Sequence, residues 1–295
     1  MSGNTPMLSI VTPTYNRGLL LSRCFASLLR QTHKNFEWII VDDGSTDNTE
    51  AVVRGFFADF LIKYVKKENG GKHTALNASH PFIRGKYVTI LDSDDFLVDT
   101  AVQQILEAWK TYETAVDIGI VILLKGSAVD RPSCEAREEG IPVDIMRYKR
   151  VSHYSGDCCE VIRAELFKKY PFPVFEGERF ISEGALWNRV SFTHKCVYIN
   201  RVVYIAEYLE GGLTKSGRAL RIRNPRGGMY TANLNANRKN FFKRRIKNGL
   251  LYTCYSRFAG MKVTEMLRHT DSKLLMLCCL PAGWLLYHYW KKKYM

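Results

Sequence analysis

Four apolar runs in the first hundred residues each break off at a cluster of polar side chains, and each is followed by a stretch of helical character. Leu8-Ser9-Ile10-Val11 runs into Thr12-Pro13 and then an amphipathic stretch over Leu19–Gln31, with Leu20, Cys24, Leu28 and Gln31 at helical spacing. Trp38–Val41 runs into Asp42-Asp43-Gly44-Ser45, and Thr46–Phe60 reads as a helix begun by Ser45. Leu61–Val65 leads through Asn69-Gly70-Gly71 to a short helix over Lys72–Ser79, and Tyr87–Leu91 ends at Asp92-Ser93-Asp94-Asp95, with another helix starting near Asp99 or Thr100. Strands alternating with helices in this way predict an α/β fold, a mostly parallel sheet covered by helices on both faces.

The polar clusters fall where function is expected in such a sheet. Thr12, Tyr15, Asn16, Asp42, Asp43, Asp92, Asp94 and Asp95 all follow the C-terminal ends of strands, beside the crevice in which open α/β sheets bind ligands. The first loop, Thr12-Pro13-Thr14-Tyr15-Asn16-Arg17, holds no glycine, so it is neither a dinucleotide-binding turn nor a P-loop. Carboxylates crowded at a strand end repel one another and repel phosphate, so Asp92 and Asp94 call for a divalent cation.

Composition narrows the class further. With 46% hydrophobic and 12% aromatic residues in 295, the chain has ample core and is no disordered segment. Its eight cysteines show no CxxC and no zinc spacing, and are read as reduced thiols. The N-terminus carries no basic segment followed by an apolar one, so a cleaved signal is not expected. Leu274–Trp290 is the nearest approach to a membrane span, but it is interrupted by Pro281, Gly283 and His288 and falls short of the roughly 20 apolar residues required. Charge is uneven: Lys215–Met295 carries eighteen Lys and Arg against Glu265 and Asp271, whereas residues 1 to 214 lie two charges on the acidic side of neutral. A basic, aromatic-rich C-terminal quarter points to an anionic surface.

Taken together, Ser9-Ile10-Val11-Thr12-Pro13-Thr14-Tyr15-Asn16-Arg17, Ile40-Val41-Asp42-Asp43-Gly44-Ser45-Thr46-Asp47, Asn69-Gly70-Gly71-Lys72-His73-Thr74-Ala75-Leu76-Asn77 and Leu91-Asp92-Ser93-Asp94-Asp95 resemble, in order and spacing over about residues 7 to 110, the metal-dependent glycosyltransferases of family 2. The resemblance implies a GT-A, Rossmann-like fold with a basic helical C-terminal extension. It implies that residues 1 to 100 hold the nucleotide sugar and metal and that 101 to 215 form the acceptor side of the same domain; residues 216 to 295, from their cations and aromatics, are read as a helical, membrane-associating tail. Donor-binding positions carried over from it are Thr12, Pro13, Tyr15, Asn16, Arg17, Asp42, Asp43, Lys72, Asn77, Asp92 and Ser93, with Tyr15 stacking on the base and Asp43 accepting from the base edge, which suits a UDP-sugar. Asp94, with Asp92, would hold Mn2+ or Mg2+ against the diphosphate, and Lys72 would meet the same phosphates.

The resemblance also calls for a general base at the start of a helix in the second half. Glu183 in Ile181-Ser182-Glu183-Gly184-Ala185 is the candidate, with Glu178 as fallback, and Tyr208–Lys215 resembles the loop that closes such domains. The implied reaction is inverting transfer of a sugar to a hydroxyl of a glycan or lipid-linked acceptor in polysaccharide synthesis. The expected location is the cytoplasmic face of the cell membrane, with the tail on an anionic lipid surface and no nucleic-acid partner. Two alternatives stay open: an inactive scaffold of the same fold, suggested by Glu-Gly where many relatives carry Glu-Asp, and nucleic-acid binding through the basic tail, against which stands the lack of any recognised binding motif.

Overall fold

The computed structural model describes residues 5–144, 157–206 and 213–295, with side chains from residue 217 onward in the last span. The chain forms two compact units, Met1–Pro171 with Thr193–Glu207, and Phe172–Phe192 with Tyr208–Met295. Strands contributed after residue 115 complete the sheet that the first hundred residues begin.

The first unit is built on one sheet. Strands β1 (Leu8–Thr14), β2 (Phe36–Asp42), β3 (Leu61–Lys66) and β4 (Tyr87–Ile90) lie parallel in the order β3-β2-β1-β4, and β8 (Cys158–Arg163), β6 (Ile118–Ala128), β9 (Lys195–Ile205) and β5 (Phe96–Leu97) extend it, with β7 (Arg131–Pro132) paired to β6. The β4–β8 and β8–β6 pairs are antiparallel and β6–β9 parallel, so the sheet is mixed as a whole and parallel through its first half. Helices α1 (Gly18–Leu29), α2 (Thr49–Arg54), α3 (Lys72–Ser79), α4 (Ala101–Thr111) and α5 (Ala164–Lys169) connect these strands. Trp38, Trp109, Tyr87, Leu8, Ile10 and Leu21, all fully or nearly fully buried, belong to its core.

Two local departures from the expected elements have identifiable causes. Strand β1 continues through Pro13, which pairs with Val41. Leu91 N–H donates to Val11 O, so the odd-numbered residues of β1 face β4, and β4 has ended before Pro13 would need a donor on that side. Helix α2 begins at Thr49 and not at Thr46, because Asn16 Oδ1 takes the amides of Thr46 and Asp47 while Asp47 Oδ1 takes the amide and hydroxyl of Thr49. Those side-chain bonds compete with a helical start at Ser45.

The second unit comprises helices α6 (Gly184–Val190), α7 (Leu213–Arg223), α8 (Pro225–Asn235), α9 (Phe242–Phe258), α10 (Val263–Arg268) and α11 (Lys273–Tyr294). Its core gathers Met229, Tyr252, Tyr255, Met266, Met276 and Trp290. Helices α9 and α11 approach closely where side chains are absent: a Cβ on Gly249 would stand 2.7 Å from Cys279 Sγ, and one on Gly283 would overlap the Thr253 hydroxyl. None of the eight cysteines is in a disulfide.

Candidate active site

The order β3-β2-β1-β4 reverses direction between β1 and β4, and the loops leaving the C-terminal ends of those two strands therefore border the crevice at a topological switch point. One loop carries Tyr15-Asn16-Arg17 and the other Asp92-Ser93-Asp94-Asp95. An ion pair between Arg17 and Asp94 Oδ2 joins them, and a second, between Lys72 at the start of α3 and Asp92 Oδ1, joins α3 to the same acidic loop. All four charged side chains keep between 21% and 30% of their surface exposed, and Tyr15 keeps 46%, so this set is open to a ligand.

The remaining candidate positions build the loops. Thr12 is fully buried in β1 and its hydroxyl accepts from the Trp38 indole at 2.8 Å, and Pro13 is buried in the same strand. Asn16, at φ 52°, holds the first loop to the second, its amide donating to Ser45 Oγ at 2.8 Å. Asp42 turns into the sheet and accepts from the Ser45 amide and the Tyr64 hydroxyl at 2.7 and 2.6 Å. Asp43, 4% exposed, accepts from Lys67 Nζ and the amides of Gly70 and Gly71 at 2.7, 3.0 and 2.7 Å. It organises the turn into α3, where Gly71 adopts φ 92°. Ser93 is buried between the two aspartates, and Asn77 is half-buried on α3. The Thr12 and Asp42 side chains bond partners in the sheet and its first turn, and Asn16 Oδ1 accepts from the amides of Thr46 and Asp47.

Beneath the acidic loop lies a contact that sequence reading did not identify. The buried Tyr204 hydroxyl of β9 accepts from the Asp92 amide at 2.9 Å and donates to Asp95 Oδ2 at 2.8 Å, with Lys125 Nζ 3.9 Å from the Tyr204 ring centre. The pairing of Leu97 with Tyr204 in the β5–β9 ladder brings it there. Burial disfavours ionisation of Asp92, but Lys72, Lys125 and Arg17 outweigh it and hold its carboxyl below the ordinary range. Burial pushes Asp95 up to about 6, the charges of Asp92 and Asp94 adding to it against the Tyr204 bond.

Among the described residues no group of three or more His, Cys, Asp and Glu is gathered as a metal site. A hard cation such as Mg2+ or Mn2+ commonly takes one or two protein carboxylates and completes its shell with substrate phosphates and water. Asp92 and Asp94, accessible oxygen donors on one loop with one of them held ionised, fit such a set.

His73, next to Lys72, is 2% exposed and neither ring nitrogen has a hydrogen-bond partner. Burial drives its pKa down to about 4, against the attraction of Asp43 and with the repulsion of Lys67. An unfolded histidine takes its proton near pH 6.5, and the folded one only near pH 4. Stability is therefore expected to fall as pH drops from about 6.5 toward 4, by up to about 3 kcal/mol from this residue. Comparing melting temperature against pH for wild type and His73→Leu checks this: the variant should lose that part of the acid slope, and parallel curves would remove His73 as its source.

In the second unit, Glu183 stands immediately before α6, half-buried, and its side chain makes no cap bond to the helix. Glu178 is differently engaged: its two oxygens accept from the amides of Arg226 and Gly227 at 2.7 and 2.8 Å, capping α8. The closing-loop segment Tyr208–Lys215 lies outside the residues whose side chains are described.

The chain aligns at 26% identity over 223 residues with glycosyltransferase GlyG of Streptococcus pneumoniae serotype 4, covering 71% of this chain and 73% of that one. It aligns at 28% over 210 residues with the GalNAc(5)-diNAcBac-PP-undecaprenol beta-1,3-glucosyltransferase of Campylobacter jejuni, covering 68% and 64%. Several other curated relatives are far longer, and the chain spans between 11% and 16% of their length. Of solved structures, TarS of S. aureus in complex with UDP-GlcNAc matches with TM-score 0.62 at 17% identity over 94% of this chain and 80% of that one. The mannosyltransferase PcManGT of Pyrobaculum calidifontis, in complex with GDP-Man and Mn2+, matches with TM-score 0.57 at 20% identity over 99% and 84%. These likenesses agree with the mixed sheet and flanking helices in showing the GT-A fold. The family profile described as Glycosyl transferase family 2 matches residues 9–170, which hold the loops of Tyr15, Asp43, Lys72 and Asp94, and the chain belongs to that family.

Proposed function

We propose that the protein transfers a sugar, with inversion, from a UDP-sugar to a hydroxyl of a glycan or lipid-linked oligosaccharide in polysaccharide synthesis. The observation that carries this reading is the double ion pair across the switch point, which brings two cations and two carboxylates around one open crevice. Tyr15, the exposed aromatic beside it, stacks on the base. Arg17 and Lys72 turn from their carboxylates to the diphosphate when donor binds. Asp94, with Asp92, would hold a divalent cation, which when bound would supply positive charge against the departing nucleotide. Tyr204 fixes the loop on which those carboxylates sit. Glu183 removes the proton from the acceptor hydroxyl as it attacks the anomeric carbon.

The lipid-linked acceptor is supported by the similarity to the Campylobacter GalNAc(5)-diNAcBac-PP-undecaprenol beta-1,3-glucosyltransferase, and the basic C-terminal quarter suits work at the inner face of a membrane. Among the described residues no helix is long and apolar enough to cross one.

The test is thermal stability with UDP, GDP, dTDP and CDP, each with and without Mn2+, because a ligand that binds the folded state raises its apparent stability. UDP with Mn2+ is expected to give the largest rise, about 2.7 kcal/mol at a hundredfold excess over the dissociation constant. A larger rise with GDP would change the donor. No rise with any nucleotide would favour the inactive scaffold.

A further inference from the structure

Helix α11 has two apolar sides, and only one is covered. Met276, Cys279, Gly283 and Trp290 are buried on the side packed with α9. On the other side Leu274, Leu277, Pro281, Leu285, His288 and Lys292 follow one another at steps of three and four, the spacing of a single helical face. Leu274 is 76% exposed, Leu285 72% and Leu277 44%, with Tyr289 at 60% and Trp284 at 37% along the flanks. A surface helix that meets only water presents polar residues outward, and this one presents leucine, tryptophan and tyrosine side chains for about 22 Å, the span of sixteen residues from Leu274 to Tyr289.

The charged side chains of α11 itself are all of one sign. From Ser272 to Met295 there is no acid, Lys273 stands at one end and Lys291, Lys292 and Lys293 at the other. Arg257 of α9 packs its guanidinium over Trp284 at 4.9 Å and Tyr287 at 5.8 Å, adding a cation to the flank. An apolar stripe flanked by Trp and Tyr and bounded by cations is the chemistry of a helix lying in a lipid headgroup layer.

We infer that the outward face of α11 is the protein's seat on an anionic bilayer: the helix lies in the membrane plane, Leu274, Leu277 and Leu285 enter the interface, and Lys291–Lys293 meet the headgroup phosphates. This rests on the proposed membrane role of the tail and names the surface that carries it out. A spanning arrangement is disfavoured by the helix itself, whose opposite side is committed to α9 and whose Gly283 must stay against Thr253.

Flotation of the full chain with vesicles of phosphatidylcholine alone and with phosphatidylglycerol added tests the inference. Wild type is expected to float with the anionic vesicles and to be released by salt. Leu274→Glu/Leu285→Glu should lower partitioning at least tenfold. Lys291→Gln/Lys292→Gln/Lys293→Gln should lower it about a hundredfold on anionic vesicles only, since each cation near such a surface contributes about fivefold. Stabilisation by UDP and Mn2+ should be the same in all three proteins, which shows that the variants are folded. Wild type and both variants floating equally would keep the membrane role and overturn this seat. Wild type failing to float would overturn both, and a dimer in sedimentation that the leucine variant dissociates, without flotation, would make the face a contact between copies instead.

Discussion

Asp94→Asn is expected to lower sugar transfer about a thousandfold while leaving the melting temperature within a degree or two of wild type. The size of the catalytic loss follows from what the carboxylate does: removing one preorganised electrostatic partner of a developing charge costs factors of 10² to 10³, and here the partner would also be the cation's main protein ligand. The stability cost is small because the Arg17–Asp94 pair is partly solvated, with 29% and 21% of the two side chains exposed, and such pairs contribute about 0–1 kcal/mol. Two readouts separate the metal assignment from general damage. Titration of Mn2+ in the transfer assay should show the residual rate no longer rising with metal, and UDP alone should still stabilise the variant to the wild-type extent. Full metal-dependent activity in Asp94→Asn would remove Asp94 as the ligand.

The first four strands of the fold were legible in the sequence because their signals are local. Each of the first four strands is a short apolar run, and each is punctuated by Gly, Pro, Asp or Asn within a few residues. What was not legible depends on contacts between distant residues. The start of α2 is set by Asn16, about thirty residues earlier, and not by Ser45. Asp43 reads as an acid at a strand end, and its bonds to Lys67, Gly70 and Gly71 come from residues 24 to 28 positions further on. No pattern within the second strand shows that the turn before α3 folds back onto it. Tyr204 lies 112 residues beyond Asp92, and only the pairing of β5 with β9 brings its hydroxyl beneath the acidic loop. Burial adds a further distinction that residue type does not supply: Thr12 and Tyr15 stand three positions apart in one motif, one sealed beneath Trp38 and the other half open to solvent.

Glu183→Gln should abolish transfer, by 10² to 10⁴, and leave donor binding intact, because the substitution keeps shape and hydrogen-bonding capacity but cannot take a proton at neutral pH. The local structure separates this glutamate from its neighbour. Glu178 has both oxygens bound to the first free amides of α8, behind Pro225 at the helix start, and Asn224 Oδ1 accepts from the Arg179 amide at 2.7 Å. Phe180 O lies so near Gly227 that a Cβ there would stand 2.5 Å from it, so the segment 178–180 is fastened along the beginning of α8. An acid in that position serves the helix: its charge meets the positive end of the dipole and its oxygens fill two donors that would otherwise be unpaired. Glu178→Gln is accordingly expected to lower stability by about 1–2 kcal/mol with turnover per folded molecule near wild type. Glu183, directly before α6, makes no such cap bond. Measuring kcat together with the UDP and Mn2+ stabilisation for both variants decides between them. Unchanged kcat in Glu183→Gln moves the base elsewhere in the chain, and a large loss of kcat in Glu178→Gln with unchanged stability would reverse the two roles.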